Sequence, residues 1–217
     1  MPHPSNGAGE PLFLLAQINF QEVPAVADFP TEGILQFYID ANDDLWGWSL
    51  DEPTAQTGFQ VIFHPNPNLD INQLQTDLPE PQWQNAPVGE SHVLQFEKRE
   101  QYMSINDHRF LKTILQVNDF EDLSQVFETA DKSDAFFEIY DEHFSATGHR
   151  LGGYPYFTQS DPREIDAFSD YVLLLQIDTD GEQSIMWGDM GVANFFIHPN
   201  DLKRRDFSKV LYNWDCG

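Results

Sequence analysis

The sequence predicts an α+β fold, with two mixed or antiparallel β lobes bridged by a central helical segment. Both ends of the chain carry short apolar runs closed by turn residues, the pattern of strands. The middle carries apolar residues at helical spacing. Two of the strand runs also recur. Leu14-Leu15-Ala16-Gln17-Ile18-Asn19 matches Leu173-Leu174-Leu175-Gln176-Ile177-Asp178 at an offset of 159. Gly33-Ile34-Leu35-Gln36-Phe37-Tyr38-Ile39 matches Gly191-Val192-Ala193-Asn194-Phe195-Phe196-Ile197 at an offset of 158. A third match, Val61-Ile62-Phe63 with Val210-Leu211-Tyr212, lies at 149. The expected organisation is one internally duplicated domain over residues 1–217: a first lobe at about 11–100, a helical bridge at 101–148 and a second lobe at 149–217.

Taken in order, residues 1–11 read as a loop rich in turn formers. Residues 12–18 form a strand whose near-continuous apolar character implies burial on both faces. Strands follow at 34–39 and 59–64. Residues 65–90 contain five prolines and read as loop, with a short helical turn near 72–75. A further strand is expected at 93–97. Ser104-Ile105-Asn106-Asp107 resembles a capping box before Phe110, Leu111, Ile114 and Leu115. Asn118 with Glu121 begins a second helix, and Ser133 opens a third with Phe136, Phe137, Tyr140 and Phe144. At helical spacing these aromatics read as core rather than a ligand box. Strands return at 156–158, 171–177, 185–187, 192–197 and 210–212.

Gln17 and Gln176 recur inside apolar strands, where a polar side chain is tolerated only if hydrogen-bonded. The same backbone bond is expected in each lobe, and Gly33 and Gly191 mark the matching turns before the next strand. Gly152-Gly153-Tyr154-Pro155 lies upstream of Gln176, but the same step back from Gln17 falls before Met1. The first copy is therefore expected to lack this element. That would leave the edge of strand 12–18 open, a route to homodimers.

Charge bounds the partners. Eleven Lys and Arg against 36 Asp and Glu give a net charge of −25. That field repels phosphate backbones and anionic lipid, so no nucleic acid or membrane partner is expected; a basic protein fits better. Solubility alone is the simpler use of such charge. The apolar runs are too short to span a bilayer, the N-terminal residues do not form a signal peptide, and the single Cys216 cannot close an internal disulfide. A cytoplasmic location follows as the expectation.

The chain resembles the bacterial YwqG-like family of unknown function. The likeness rests on Phe13–Phe20, Gly33–Tyr38, His149-Arg150-Leu151-Gly152-Gly153-Tyr154-Pro155 with Gln159-Ser160-Asp161-Pro162-Arg163, and Trp187-Gly188-Asp189 running into 190–197. It implies a duplicated α+β fold whose members also carry an earlier Gly-Gly-Pro block, which is not found here. It implies no catalytic residues, and it places some members near toxin-immunity genes.

The residues offering chemistry are few. Arg163 with Gln159 and Asp161 could hold a carboxylate or phosphate, with His149 nearby in sequence; equally, Arg163 could pair with an acid and pin its loop. Trp187 and Asp189 fit a recognition surface or a Gly-Asp turn over a buried ring. Asp178, Asp180 and Glu182, and Asp40, Asn42 and Asp44, have alternating oxygens, but neither run completes a calcium loop, so turn acids are the better account. No zinc spacing, nucleophile elbow, phosphate loop or dinucleotide fingerprint is present, and no metal or cofactor is expected. The leading expectation is a binding protein, of immunity type against a basic partner. The alternative is a small-molecule-binding or hydrolytic enzyme, with Arg163, Gln159, Asp189 and Trp187 meeting in a cleft between lobes.

Overall fold

A computed structural model describes residues 3–68, 70, 72 and 85–217. Alternating apolar residues form two separate antiparallel sheets of three strands each. The first contains β1 (Phe13–Asn19), β2 (Ile34–Ile39) and β3 (Phe59–His64); the second contains β4 (Val172–Asp178), β5 (Val192–Ile197) and β6 (Leu211–Asp215). Between them in the chain lies α1 (Ala130–Phe144), and α2 (Pro199–Arg204) follows β5. The fold is α+β with two β lobes.

The two sheets share one register. Leu14 pairs with Tyr38, and Gln17 with Gln36, around a bulge at Leu15. Leu173 pairs with Phe196, and Gln176 with Asn194, around a bulge at Leu174. In the third strands, Gln36 faces Ile62 and Asn194 faces Asn213, an offset of 151. The third sequence match, at 149, therefore falls two residues out of register: both runs are apolar, and alternation with period two cannot tell a two-residue slip from the true alignment.

Each sheet turns one face inward. Leu35, Phe37, Ile39, Phe59 and Val61 of the first sheet join Leu174, Ala193, Phe195, Ile197 and Tyr212 of the second in one cluster of buried side chains. Phe37 meets Phe195 at 4.9 Å between ring centroids, and Phe59 meets Tyr212 at 5.1 Å. Truncating a ring enclosed in this way costs about 3–5 kcal/mol.

The outer faces differ. Outward residues of the second sheet, such as Gln176, Asn194, Phe196 and Leu211, are wholly buried. On the first sheet Leu14 is 37% exposed and Gln17 is exposed. The two-faced burial expected of β1 is not found, because its apolar run is covered from one side only.

Several other elements differ from expectation. Residues 91–100 form no strand, and Val93 is 96% exposed; an apolar run enters a ladder only where the chain carries it to a sheet edge. Residues 156–158 are an extended arm, and Ile185 makes only isolated bridges. The short helix expected near 72–75 lies outside the described residues. In the bridge, the Ser104 hydroxyl accepts from Asn106 N–H in a local turn and starts no helix. One π-helical turn covers Leu111–Leu115, and a 3₁₀ turn covers Phe120–Gln125, capped by Asp119 rather than Asn118. α1 begins earlier than expected: Thr129 is its N-cap, and Ser133 is buried inside the first turn. Its aromatics are half-buried and pack on one another instead of joining the inter-sheet cluster.

Gly33 and Gly191 occupy equivalent corners. Phe20 N–H donates to the Gly33 carbonyl at 3.0 Å, and Thr179 N–H to the Gly191 carbonyl at 3.2 Å. A Cβ on Gly191 would stand 2.0 Å from the Asp215 carbonyl oxygen, so β6 must move to admit one. Gly191→Ala is expected to lower stability by about 1–3 kcal/mol, read as a drop in urea midpoint with unchanged slope.

Candidate functional site

The most polar buried feature gathers on the outer side of the second sheet. Asp161 caps the 3₁₀ turn Pro162–Glu164, its Oδ1 accepting from Arg163 N–H at 2.9 Å. This folds the Arg163 side chain back over the Phe196 ring, 4.7 Å from its centroid, where it has no exposure. Its Nε and Nη2 donate to the two oxygens of Asp161 at 2.9 and 2.6 Å. Nη2 also donates to Asp107 Oδ2 at 2.9 Å, and Nη1 to the Tyr171 carbonyl at 3.1 Å. Arg109 forks onto the same Asp107 at 2.8 and 2.7 Å. Two cations and two carboxylates thus neutralise one another, with Arg163, Asp107 and Asp161 buried and Arg109 closing the group at its solvent side.

Burial pushes the Asp107 carboxyl up, but the Arg109 hydrogen bond and the charges of Arg163 and Arg109 outweigh it and hold the group at about 2. Burial lowers the His108 pKa, against the opposing pull of Asp161. Asp107, His108 and Asp161 bring potential metal-ligand atoms within 4.8 Å of one another. All four carboxylate oxygens already accept bonds from Arg side chains or backbone N–H groups, so a metal would have to displace both guanidinium groups.

The sequence singled out Asp161 and Arg163 but not Asp107 and Arg109, whose Ser104–Asp107 setting resembled a helix cap. The remaining signal was Asp107-His108-Arg109 itself, a charged triplet abutting a helical apolar run.

The other sequence-selected residues lie elsewhere. Gln159 is exposed, and its Nε2 donates to the Cys216 carbonyl at 2.8 Å. Trp187 is fully buried, packed edge-on against Trp46 at 5.1 Å and beside Trp214 at 6.3 Å. Asp189 is exposed, and its carbonyl accepts from Gly217 N–H at 3.1 Å. These three border the end of β6. Arg163 does not join them: it covers Phe196 on the outer face, whereas Trp187 belongs to the inner cluster with Phe195. Two surface hollows, of about 520 and 460 Å³, are lined by other residues. The acids considered for calcium serve turns: Asp180 Oδ1 caps Gly181–Gln183, and Asp40 Oδ1 accepts from Asn42 N–H.

His149 belongs to a third arrangement. Its Nδ1 accepts from Asp178 N–H at 3.1 Å, and its Nε2 lies 3.8 Å from Asp180 Oδ2. It stands in an arm, residues 146–159, that closes the outer face and edge of the second sheet. Gln176 grips this arm. Its Nε2 donates to the Ala146 and Gly148 carbonyls at 2.8 and 2.7 Å, and its Oε1 accepts from Tyr156 N–H at 2.8 Å. Gln176 and Arg150 also exchange backbone bonds at 2.8 and 3.1 Å. Asp178 accepts from Gly148 N–H, Asn194 donates to the Tyr156 carbonyl, and Asp215 accepts from Thr158 N–H and hydroxyl.

The pattern of two sheets with one arm is accompanied by a family match. The model described as Domain of unknown function (DUF1963) matches residues 1–216. The chain belongs to this family. No curated protein matches it. Among the described residues of this DUF1963 chain, no helix is long and apolar enough to cross a membrane.

Two outcomes follow from the buried charges. Arg163→Ala leaves the buried Asp161 carboxylate without a cation, while Asp107 keeps Arg109, and is expected to cost about 3–5 kcal/mol, measured by urea unfolding. Asp107 carries a folded pKa below its unfolded value near 3.8, so its contribution is full above about pH 4 and is lost as pH falls through about 2. Over that window, unfolding free energy should fall less steeply with acid in Asp107→Asn than in the parent protein; equal slopes would remove Asp107 as a source of acid sensitivity.

Proposed function

We propose that this protein is a binding protein whose acidic surface engages a basic polypeptide, in the manner of an immunity factor. The observation that carries this reading is how the cations are used. Arg163 and Arg109 are consumed by the buried network. Arg99, Lys132, Lys203 and Arg204 pair with neighbouring acids. Arg150, Arg205 and Lys98 spend donors on backbone carbonyls. These cations keep their charge, but eleven Lys and Arg against 36 acids leave the chain at −25, so most acids have no cation to pair with.

The bridge concentrates that excess. Residues 119–142 hold nine acids and one lysine. Along the same segment runs a line of touching rings: Phe120, Phe137, Phe127, Phe136, Tyr140, Phe144 and Tyr102. Its ends are open, with Phe120 67% and Tyr102 64% exposed. Aromatic anchors within an acidic field suit a basic partner that also presents apolar side chains. The enzyme reading lacks comparable support, since Arg163 and Trp187 lie on opposite faces of one sheet. We also infer that the chain is YwqG-like and internally duplicated; the shared register and the paired bulges support the second point. Its unit of folding is then the whole of residues 1–217, supported by one apolar cluster drawn from both sheets, and its place is the cytoplasm.

The test is affinity capture from the native host at low salt, followed by a high-salt wash. Recovered partners should be basic, and replacing Asp131, Asp134 and Glu138 with lysine should weaken binding about tenfold or more. Recovery of no basic protein at low salt would sink the proposal.

A further inference from the structure

The shared register allows each sheet to be read against the other, residue by residue. Gln176, Asn194, Asp178 and Asp215 hold the arm 146–159 on the second sheet. Their counterparts on the first are Gln17, Gln36, Asn19 and His64. All four counterparts are polar and none is buried. They bond within their own lobe: Gln36 Nε2 donates to Gln17 Oε1 at 2.6 Å, and Gln36 Oε1 accepts from Tyr38 hydroxyl at 2.9 Å and lies 2.9 Å from His64 Nε2. Asn19 turns to Glu22.

The edge repeats the contrast. The backbone N–H and C=O of Gln176 point away from β5 and are taken by Arg150. Those of Gln17, at the same place in the same ladder, point away from β2. Among the described residues no backbone group meets them, and none accepts from the exposed amide Nε2 of Gln17. Residues 3–12 cover only the far end, where His3 stacks edge-on to Tyr38 and Gln60 Nε2 donates to the Ser5 carbonyl.

We propose that the outer face and β1 edge of the first sheet form a docking site for an extended segment of another polypeptide, laid antiparallel along β1 at Gln17. The second lobe supplies the template for that occupant. It pairs as a strand at one point, where Arg150 meets Gln176, turns through glycines of positive φ at Gly148, Gly152 and Gly153, and has a basic character, as His149 and Arg150 have, that suits an acidic host. Docking of this kind is strand addition: main-chain bonds give affinity and alternate side chains give selectivity. The Gln17–Gln36 bond opens to admit it, and each amide exchanges a side-chain partner for a backbone one.

The probe is a fluorescently labelled peptide with the sequence of residues 146–159, titrated against the intact protein and read by anisotropy. Saturable binding is expected, with protection of the Gln17 amide from hydrogen exchange. Gln17→Ala and Gln36→Ala should each weaken it about tenfold. Gln17 is exposed, so Gln17→Ala should melt as the parent does; Gln36→Ala also removes the partner of the buried Tyr38 hydroxyl, so its affinity is read below its own melting temperature. Binding should persist at about 1 M salt, where the screening length is about 3 Å; capture by the acidic bridge would vanish there, so the two proposals fail separately. Equal binding of a scrambled peptide, or unchanged affinity in both variants, overturns the site. So does a concentration-dependent doubling of mass that blocks the peptide, since a second copy would then own the edge.

Discussion

Each three-stranded sheet has two faces, and packing the sheets together hides only one of each. The remaining face needs a cover, and a cover made of irregular chain brings unpaired backbone groups with it. The second lobe meets this constraint through Gln176. One amide both donates and accepts, so it can hold carbonyls at Ala146 and Gly148 and an N–H at Tyr156 together. With the arm in place, Phe196, Leu211 and Leu173 become a second apolar layer. Arg163 and its carboxylates then pack over that layer.

The buried charge network is best understood as a consequence of that cover. Arg163 lies on a ring, shielded from water, and such a position is tolerable only with full pairing. Asp161 supplies one carboxylate locally. Asp107 supplies the other from 56 positions away in sequence, and so ties the start of the helical bridge to the second lobe. Arg109 neutralises what would otherwise be an excess acid. The bridge beyond this tie has little further claim on the sheets, which accounts for an aromatic line that packs on itself and stays half in solvent.

The strands with turn-bounded alternation were legible: 34–39, 59–64 and 192–197 fall where the sequence places them. So was the placement of Arg163 beside Asp161, because the capping chemistry of Asp-Pro spans two residues. Helix starts were less legible. Asn118, Asp119, Thr129 and Ser133 are all competent caps, and only the packing of Ser133 inward decides that Thr129 has the role. Apolar runs at 93–97 and 185–187 read as strands because propensity reports fitness for a sheet, not whether the chain brings the run alongside an edge.

Gln17 and Gln176 separate what the sequence alone determined from what the tertiary structure decided. Local sequence determined that each sits in a strand, at one register, opposite a second polar residue. Those properties follow from alternation and turn chemistry within a few residues. Whether each is buried was decided by a segment 20 to 30 positions away, which covers Gln176 and has no counterpart over Gln17 among the described residues. The same residue is therefore a clasp in the second lobe and an exposed polar group in the first. Burial belongs to what covers a residue, and no local pattern encodes the cover.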